Sequence, residues 1–213
     1  MRRSTMPRRR SLRLESYDYA MAGAYFVTVC TQDRACLFGD VVADAMCLNE
    51  AGEMVAALWD DIASRFSGVE VDQFVVMPNH LHGILILPDA DATANAATTK
   101  GATTRRATTR VAPTMDGPVG APLVGARDGI ARVPVAPIRL GDVVGAFKSM
   151  TTVGYIDGVK ASGWPGFRRR LWQRNYYEHI IRDETALSRV RRYIDDNPAR
   201  WEFDDDNPRK TRP

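Results

Sequence analysis

An α+β domain, with one antiparallel sheet covered by helices, is predicted by three observations. Short runs of β-branched and aromatic residues stand in at least three places, longer stretches with helical spacing lie between them, and a Pro-Asn turn joins two of the runs directly. The order reads strand, helix, hairpin, helix, irregular segment, helix. The balance of 45% hydrophobic and 26% charged residues over 213 positions is that of a soluble globular chain.

The first strand is Tyr25-Phe26-Val27-Thr28-Val29-Cys30. Residues 49–66 follow with helical spacing, placing Val55, Leu58, Ile62 and Phe66 on one face and Asn49 at the N-cap. Phe74-Val75-Val76-Met77, the turn Pro78-Asn79 and the run His80 to Leu87 then make a hairpin. Residues 89–137 contain no aromatic residue and carry the tandem repeat AATTK-GATTR-RATTR at 96–110. A period of five suits neither a packed helix nor a strand, and such composition buries too little apolar area to offset its ordering entropy. It reads as a long disordered insertion acting as a passive linker. Beyond it, 140–156 is helical, with Val143, Val144, Phe147 and Met150 apolar and Lys148 among them. The basic, aromatic stretch 163–182 fits no element. A final helix runs from about Glu184 to Asp196, capped by Asp183 and stopped by Pro198. One domain over 17–203 is expected, interrupted by the insertion, with a basic tail at 1–16 and a polar tail at 204–213.

The three cysteines form no CxxC pair, which points to a reducing setting rather than a disulfide framework. No apolar run approaches the roughly 20 residues that cross a bilayer. The N-terminus lacks the apolar segment of a secretory signal, while its Arg- and Ser-rich, acid-free composition leaves a transit peptide open. A cytoplasmic, nucleoid-associated protein without membrane partner or nucleotide cofactor is expected. The net charge is only +3, yet residues 1–14 hold six arginines and residues 163–192 hold eight against Glu178, Asp183 and Glu184. Acids such as Glu202, Asp204, Asp205 and Asp206 cancel much of this in the sum. Basic surfaces of this kind suit a polyanion or are simply solvated.

Two of the three histidines are His80 and His82. In a strand their side chains project from one face, a rigid half-site for a divalent ion, although such a pair is often structural. His179 is a third ligand, a phosphate contact or a packed residue, the last preferred. On the final helix Leu187, Val190 and Ile194 form the buried stripe, and Tyr193 and Asn197 lie about 40° apart beside it. These two are either a paired hydroxyl and amide or an ordinary tyrosine and an ordinary helix end.

The segments MPNHLHGILIL at 77–87, FKS at 147–149, LWQRNYYEHIIRDE at 171–184 and YIDDNP at 193–198 together resemble the REP-associated tyrosine transposases. These belong to the HUH single-strand endonucleases, named for a His-hydrophobic-His motif. The resemblance spans about Tyr25 to Trp201 without the insertion. It implies a single ferredoxin-like domain, metal ligands at His80, His82 and Asn197, and a tyrosine nucleophile at Tyr193, with Tyr176 and Tyr177 as rivals. Better-known relatives have Gln where this chain has Asn197. Imidazole and oxygen ligands favour Mg²⁺ or Mn²⁺ over a closed zinc site.

The implied activity is metal-dependent cleavage and transfer of single-stranded or hairpin DNA through a 5′-phosphotyrosine. Lys148, Arg168, Arg169, Arg170 and Arg174 are expected to contact the DNA, the arginines through its phosphates. Trp172 and Tyr176 either stack on unpaired bases or, for Trp172 and one of the tyrosines, anchor the core. A hairpin-binding protein without cleavage activity is the alternative, and an RNA-binding domain a third reading that leaves the histidines idle. A monomer is expected, with a dimer open.

Overall fold

A computed structural model describes residues 22–89, 138–208 and 210. The expected basic tail at 1–16 lies outside the described residues, as does the expected insertion apart from Asp89.

The central strand β1 (Gly23–Cys30) pairs antiparallel with β5 (His80–Leu87) on one side and β6 (Tyr177–Ile181) on the other. β4 (Glu70–Met77) completes the sheet beyond β5, giving the order β4-β5-β1-β6. The helices α1 (Glu50–Asp60) and α3 (Leu140–Ser162) connect β1 to β4 and β5 to β6. With those crossovers the domain is a βαββαβ, ferredoxin-like fold. Three additions extend it. A small hairpin, β2 (Gly39–Val42) and β3 (Ala45–Leu48), and the short α2 (Ile62–Arg65) flank α1. The helix α4 (Glu184–Asp195) and a 3-10 helix (Pro198–Phe203) follow β6.

Side chains of a strand alternate between faces, so β1 and β5 feed two cores. Tyr25, Val27, Val29, Leu81 and Leu85 meet α1 and α3 through Val55, Trp59, Val143 and Phe147. Phe26, Ile84 and Ile181 lie on the other face beneath Ile194, with Leu187 and Val190 packed at the edge. The two histidines belong to this second, thinner face.

Several sequence expectations need correction. The helix expected over 49–66 divides at Asp61 into α1 and α2. Asn49 does cap it, its side chain accepting the Gly52 N–H at 2.9 Å. The buried stripe is Ala51, Val55, Trp59 and Ile62, with Leu58 and Phe66 only partly covered. Helix α3 runs six residues past 156 and ends at Gly163, whose φ of 70° gives the left-handed turn that closes a helix.

The stretch 163–182 is also ordered into an extension of the sheet. Gln32 N donates to Leu171 O at 2.7 Å and Gln173 N to Cys30 O at 2.9 Å, and the chain then becomes the edge strand β6. Among the described residues no helix is long and apolar enough to cross a membrane.

Candidate metal and nucleophile site

The β4–β5 turn places Asn79 and His80 at one end of the sheet. His80 stands opposite Cys30 and Met77, and His82 opposite Thr28 and Val75, so both imidazoles emerge on the face covered by α4. They are buried, and their Nε2 atoms lie 3.0 Å apart. Burial drives both rings down to about 3, with Arg34 adding to the effect on His80 and His80 to that on His82. Both are therefore neutral at physiological pH.

The hydrogen-bond network fixes which nitrogen of His80 carries its proton. The Asn79 amide donates to Arg34 O at 3.0 Å and to Asp206 O at 2.7 Å, which leaves its Oδ1 as an acceptor. That oxygen is 2.8 Å from His80 Nδ1, so Nδ1 holds the hydrogen and Nε2 presents its lone pair toward His82. His82 Nδ1 lies 2.8 Å from Thr28 Oγ1, a hydroxyl able to donate or accept. Side-chain oxygens thus anchor both rings, the kind of outer support that would orient histidines toward a metal.

Helix α4 brings in the remaining groups. Asp183 caps it, accepting the Ala186 N–H at 2.7 Å, and Arg191 ties it to β4 through Asp72 at 2.6 Å. Its C-terminal turn delivers the Tyr193 hydroxyl to 3.4 Å from His82 Nε2. The Tyr193 ring stands edge-on to Phe26 at 5.9 Å and is 40% exposed, so the phenol is held yet reachable. Partial burial raises its pKa, and Asp204 raises it further, while the Asn197 side chain opposes them. The resting phenol is protonated.

Asn197 is buried beside that phenol, and its Oδ1 has no hydrogen-bond partner among the described residues. A buried carbonyl oxygen left without a donor is costly, and a cation would satisfy it. The Asp204 carboxylate follows, with an oxygen within 4.8 Å of a ligand nitrogen from each histidine. A shallow groove leaves this cluster between Tyr193 and His82 and runs past Thr28 and Arg34 to Tyr176 and Tyr177.

The other residues singled out in the sequence fare differently. Arg168, Arg169 and Arg170 are exposed and wall a small cleft with Gln32 and Asp33, past the histidine end of β1, and Arg174 is exposed nearby. Lys148 is not a free cation on the surface. Its Nζ donates to Gln173 O at 3.0 Å and Asn175 O at 3.1 Å, bracing the loop that walls the groove.

Trp172 is a correction: it is 4% exposed, packed between Phe38 and Phe147, and its Nε1 donates to Thr151 Oγ1 at 2.7 Å. No face of its indole is available to a base. His179, expected to be packed, is exposed on β6 opposite Phe26. Tyr176 is half-buried in the groove wall, and Tyr177 is exposed on the edge strand opposite Thr28.

Asn79, Thr28, Arg34 and Asp204 were not among the residues singled out. Asn79 sits directly before the histidine motif, and Asp204 lay in an acidic run that read only as charge balance. Of the stretch expected to be a polar tail, Asp204, Asp205 and Asp206 instead lie against the site. Arg34 pairs with Asp206 at 3.1 Å and donates to Asp205 O. Cys30, also on the groove, is pushed up to about 12 by burial and by Asp206, and remains an unreactive thiol.

No protein-family model matches the chain. An uncharacterized protein of Haemophilus influenzae is 34% identical over 200 residues, covering 92% of this chain and 91% of that protein. The chain belongs to the same family as that protein. Among solved structures, it is similar to a REP-associated tyrosine transposase bound to a REP hairpin, at 17% identity and a TM-score of 0.45, over 89% of this chain and 74% of that one. A Deinococcus radiodurans protein described as a candidate transposase is similar at 17% identity and a TM-score of 0.39, over 87% of this chain and 96% of that one.

The donor set fits a divalent cation. His80 Nε2, His82 Nε2 and the orphaned Asn197 Oδ1 would hold it.

Proposed function

We propose that this protein is a metal-dependent single-strand DNA endonuclease and strand transferase of the HUH type, acting on hairpin DNA through Tyr193. The observation that carries the reading is the approach of the Tyr193 hydroxyl to 3.4 Å from His82 Nε2, where two buried imidazole nitrogens already converge.

A bound Mg²⁺ or Mn²⁺ would neutralise the scissile phosphate and favour ionisation of a nearby phenol. The chain's own residues do the rest. Phe26 and His82 both meet the Tyr193 ring, at 5.9 Å and 5.3 Å, and so restrict the direction in which its oxygen can approach a phosphate. Attack forms the phenolic O–P bond on the 5′ side of the break and releases the 3′ oxygen, which takes up a proton. The phenolic proton is lost in the same step. The phosphotyrosine retains the energy of the broken bond, so rejoining to another strand requires no nucleotide. Arg168, Arg169, Arg170 and Arg174 lie past the same end of the sheet and would contact flanking phosphates, with salt-dependent affinity.

Substitution of His82 by Ala tests the reading with a labelled hairpin oligonucleotide taken from beside the gene. Cleavage in Mn²⁺ is lost while hairpin binding persists. Equal cleavage by the variant removes His82 from the chemistry, and hairpin binding by both proteins without cleavage by either moves the protein to a pure binding role.

A further inference from the structure

We propose that Asp204 is a carboxylate ligand of the same metal, contributed by the chain segment after the 3-10 helix. The inference rests on the metal reading above and adds a residue outside the histidine and tyrosine motifs. His80, His82 and Asp204 are the group of titratable side chains whose ligand atoms converge within 4.8 Å among the described residues. Ligand atoms gathered this closely can share one divalent ion.

Two further observations point the same way. The carboxylate is oriented: Asp204 Oδ1 accepts the Asp206 N–H at 2.7 Å. The segment is also clamped, because the Asn79 amide that fixes the His80 tautomer donates to Asp206 O. Arg34 holds Asp206, the Asn207 side chain donates to Trp201 O at 2.8 Å, and Lys210 donates to Phe203 O at 2.7 Å. An independent sign of a ligand is the buried, unpartnered Asn197 Oδ1 beside the Tyr193 phenol.

Two neutral imidazoles and one amide oxygen bring no negative charge to a divalent ion. A carboxylate supplies it, and it shifts the preference of a nitrogen-rich site toward the harder cations Mn²⁺ and Mg²⁺. Asn79 would then support His80 directly through its oxygen and, by donating to Asp206 O, steady the segment that carries Asp204.

Mn²⁺ alone is the probe, titrated into the full chain without DNA and followed by calorimetry and by the loss of the free-ion electron paramagnetic resonance signal. Asp204→Asn keeps the size of the side chain and an oxygen for the Asp206 N–H. It is expected to weaken Mn²⁺ binding on the order of tenfold or more, the scale seen when a metal's ligand environment is disturbed. Asp205→Asn, whose carboxylate points to Lys210 and is 96% exposed, stays within about twofold of the parent. Near-UV circular dichroism of both variants separates lost ligation from lost folding, and Asp204→Glu, which restores the charge, recovers part of the affinity.

Unchanged Mn²⁺ affinity in Asp204→Asn, with affinity lost in His80→Ala, overturns the Asp204 assignment and leaves the histidine site standing. Absence of Mn²⁺ binding by the parent protein overturns both. Equal losses in Asp204→Asn and Asp205→Asn assign the effect to general acidity of the segment and also overturn it.

Discussion

The strand that carries the histidines is backed at Gly83 by the Trp59 indole, and that contact makes a quantitative prediction. A Cβ added at Gly83 would lie 2.5 Å from Trp59 Cζ2 and 2.8 Å from Cε2. Carbon atoms in contact prefer about 3.5–4.0 Å, so Gly83→Ala demands a shift of about 1 Å. Trp59 has little room for it, being fully buried with Phe147 edge-on at 4.9 Å and Phe74 at 6.5 Å. Overpacking of this sort costs about 1–3 kcal/mol. For a domain of this size each kcal/mol lowers Tm by about 2–4 °C, so a fall of several degrees is expected.

Urea unfolding of the parent, Gly83→Ala, Trp59→Phe and the double variant measures the contact as a cycle. Phe lacks the part of the indole that the new methyl meets. Gly83→Ala should therefore cost less in the Trp59→Phe background, with a coupling of about 0.5–3 kcal/mol. A Gly83→Ala protein as stable as the parent, or one whose cost is the same in both backgrounds, would refute the packing argument.

Another expectation concerns pH, and metal binding is expected to depend on the Asp204 carboxylate as set out above. Arg191 holds the Asp72 carboxyl below its ordinary value of 3.8, chiefly by hydrogen bonding and with help from the Gln73 N–H, against the opposing effect of burial. A depressed carboxyl stabilises the fold above the unfolded-state pKa, and that contribution is lost as pH falls through the folded value. The stability difference between the parent and Asp72→Asn should hold from pH 7 to about 5 and shrink below pH 4, as followed by urea denaturation. A difference that does not change down to pH 3 would contradict the pairing of β4 with α4.

Legibility in the sequence followed the strength of local patterning. The run Tyr25 to Cys30, the hairpin about Pro78-Asn79 and the helix begun by Asp183 carry periodicity and punctuation that agree with their tertiary roles, and all three form as expected. The βαββαβ order then places β1 and β5 at the centre, where His80 and His82 share a face with Phe26.

Elements supported only by distant partners were hidden. β6 reads as a basic, aromatic loop because its apolar burial comes only at Ile181, and the pairing with β1 supplies the rest. The β2–β3 hairpin turns on Ala43 and Asp44 with φ of 49° and 63°, where the usual Asn-Gly signal is missing. Trp172 reads as either a stacking group or a core anchor because three arginines stand just before it, and the choice is made by Phe38, Phe147 and Thr151 from elsewhere in the chain. Asp204 could be seen only as charge, since its approach to the histidines depends on how Arg34 and Asn79 hold the segment around it.

The central claim is that Tyr193 makes a covalent, metal-dependent link to DNA, and a denaturing-gel assay for that adduct tests it most directly. Labelled hairpin strands incubated with the full chain and Mn²⁺ should give a shifted band that is absent with EDTA. Tyr193→Phe should abolish it, and peptide mass spectrometry should place the nucleotide on Tyr193. An adduct that survives in Tyr193→Phe, or one mapped to Tyr176 or Tyr177, would contradict the assignment drawn from the 3.4 Å contact with His82.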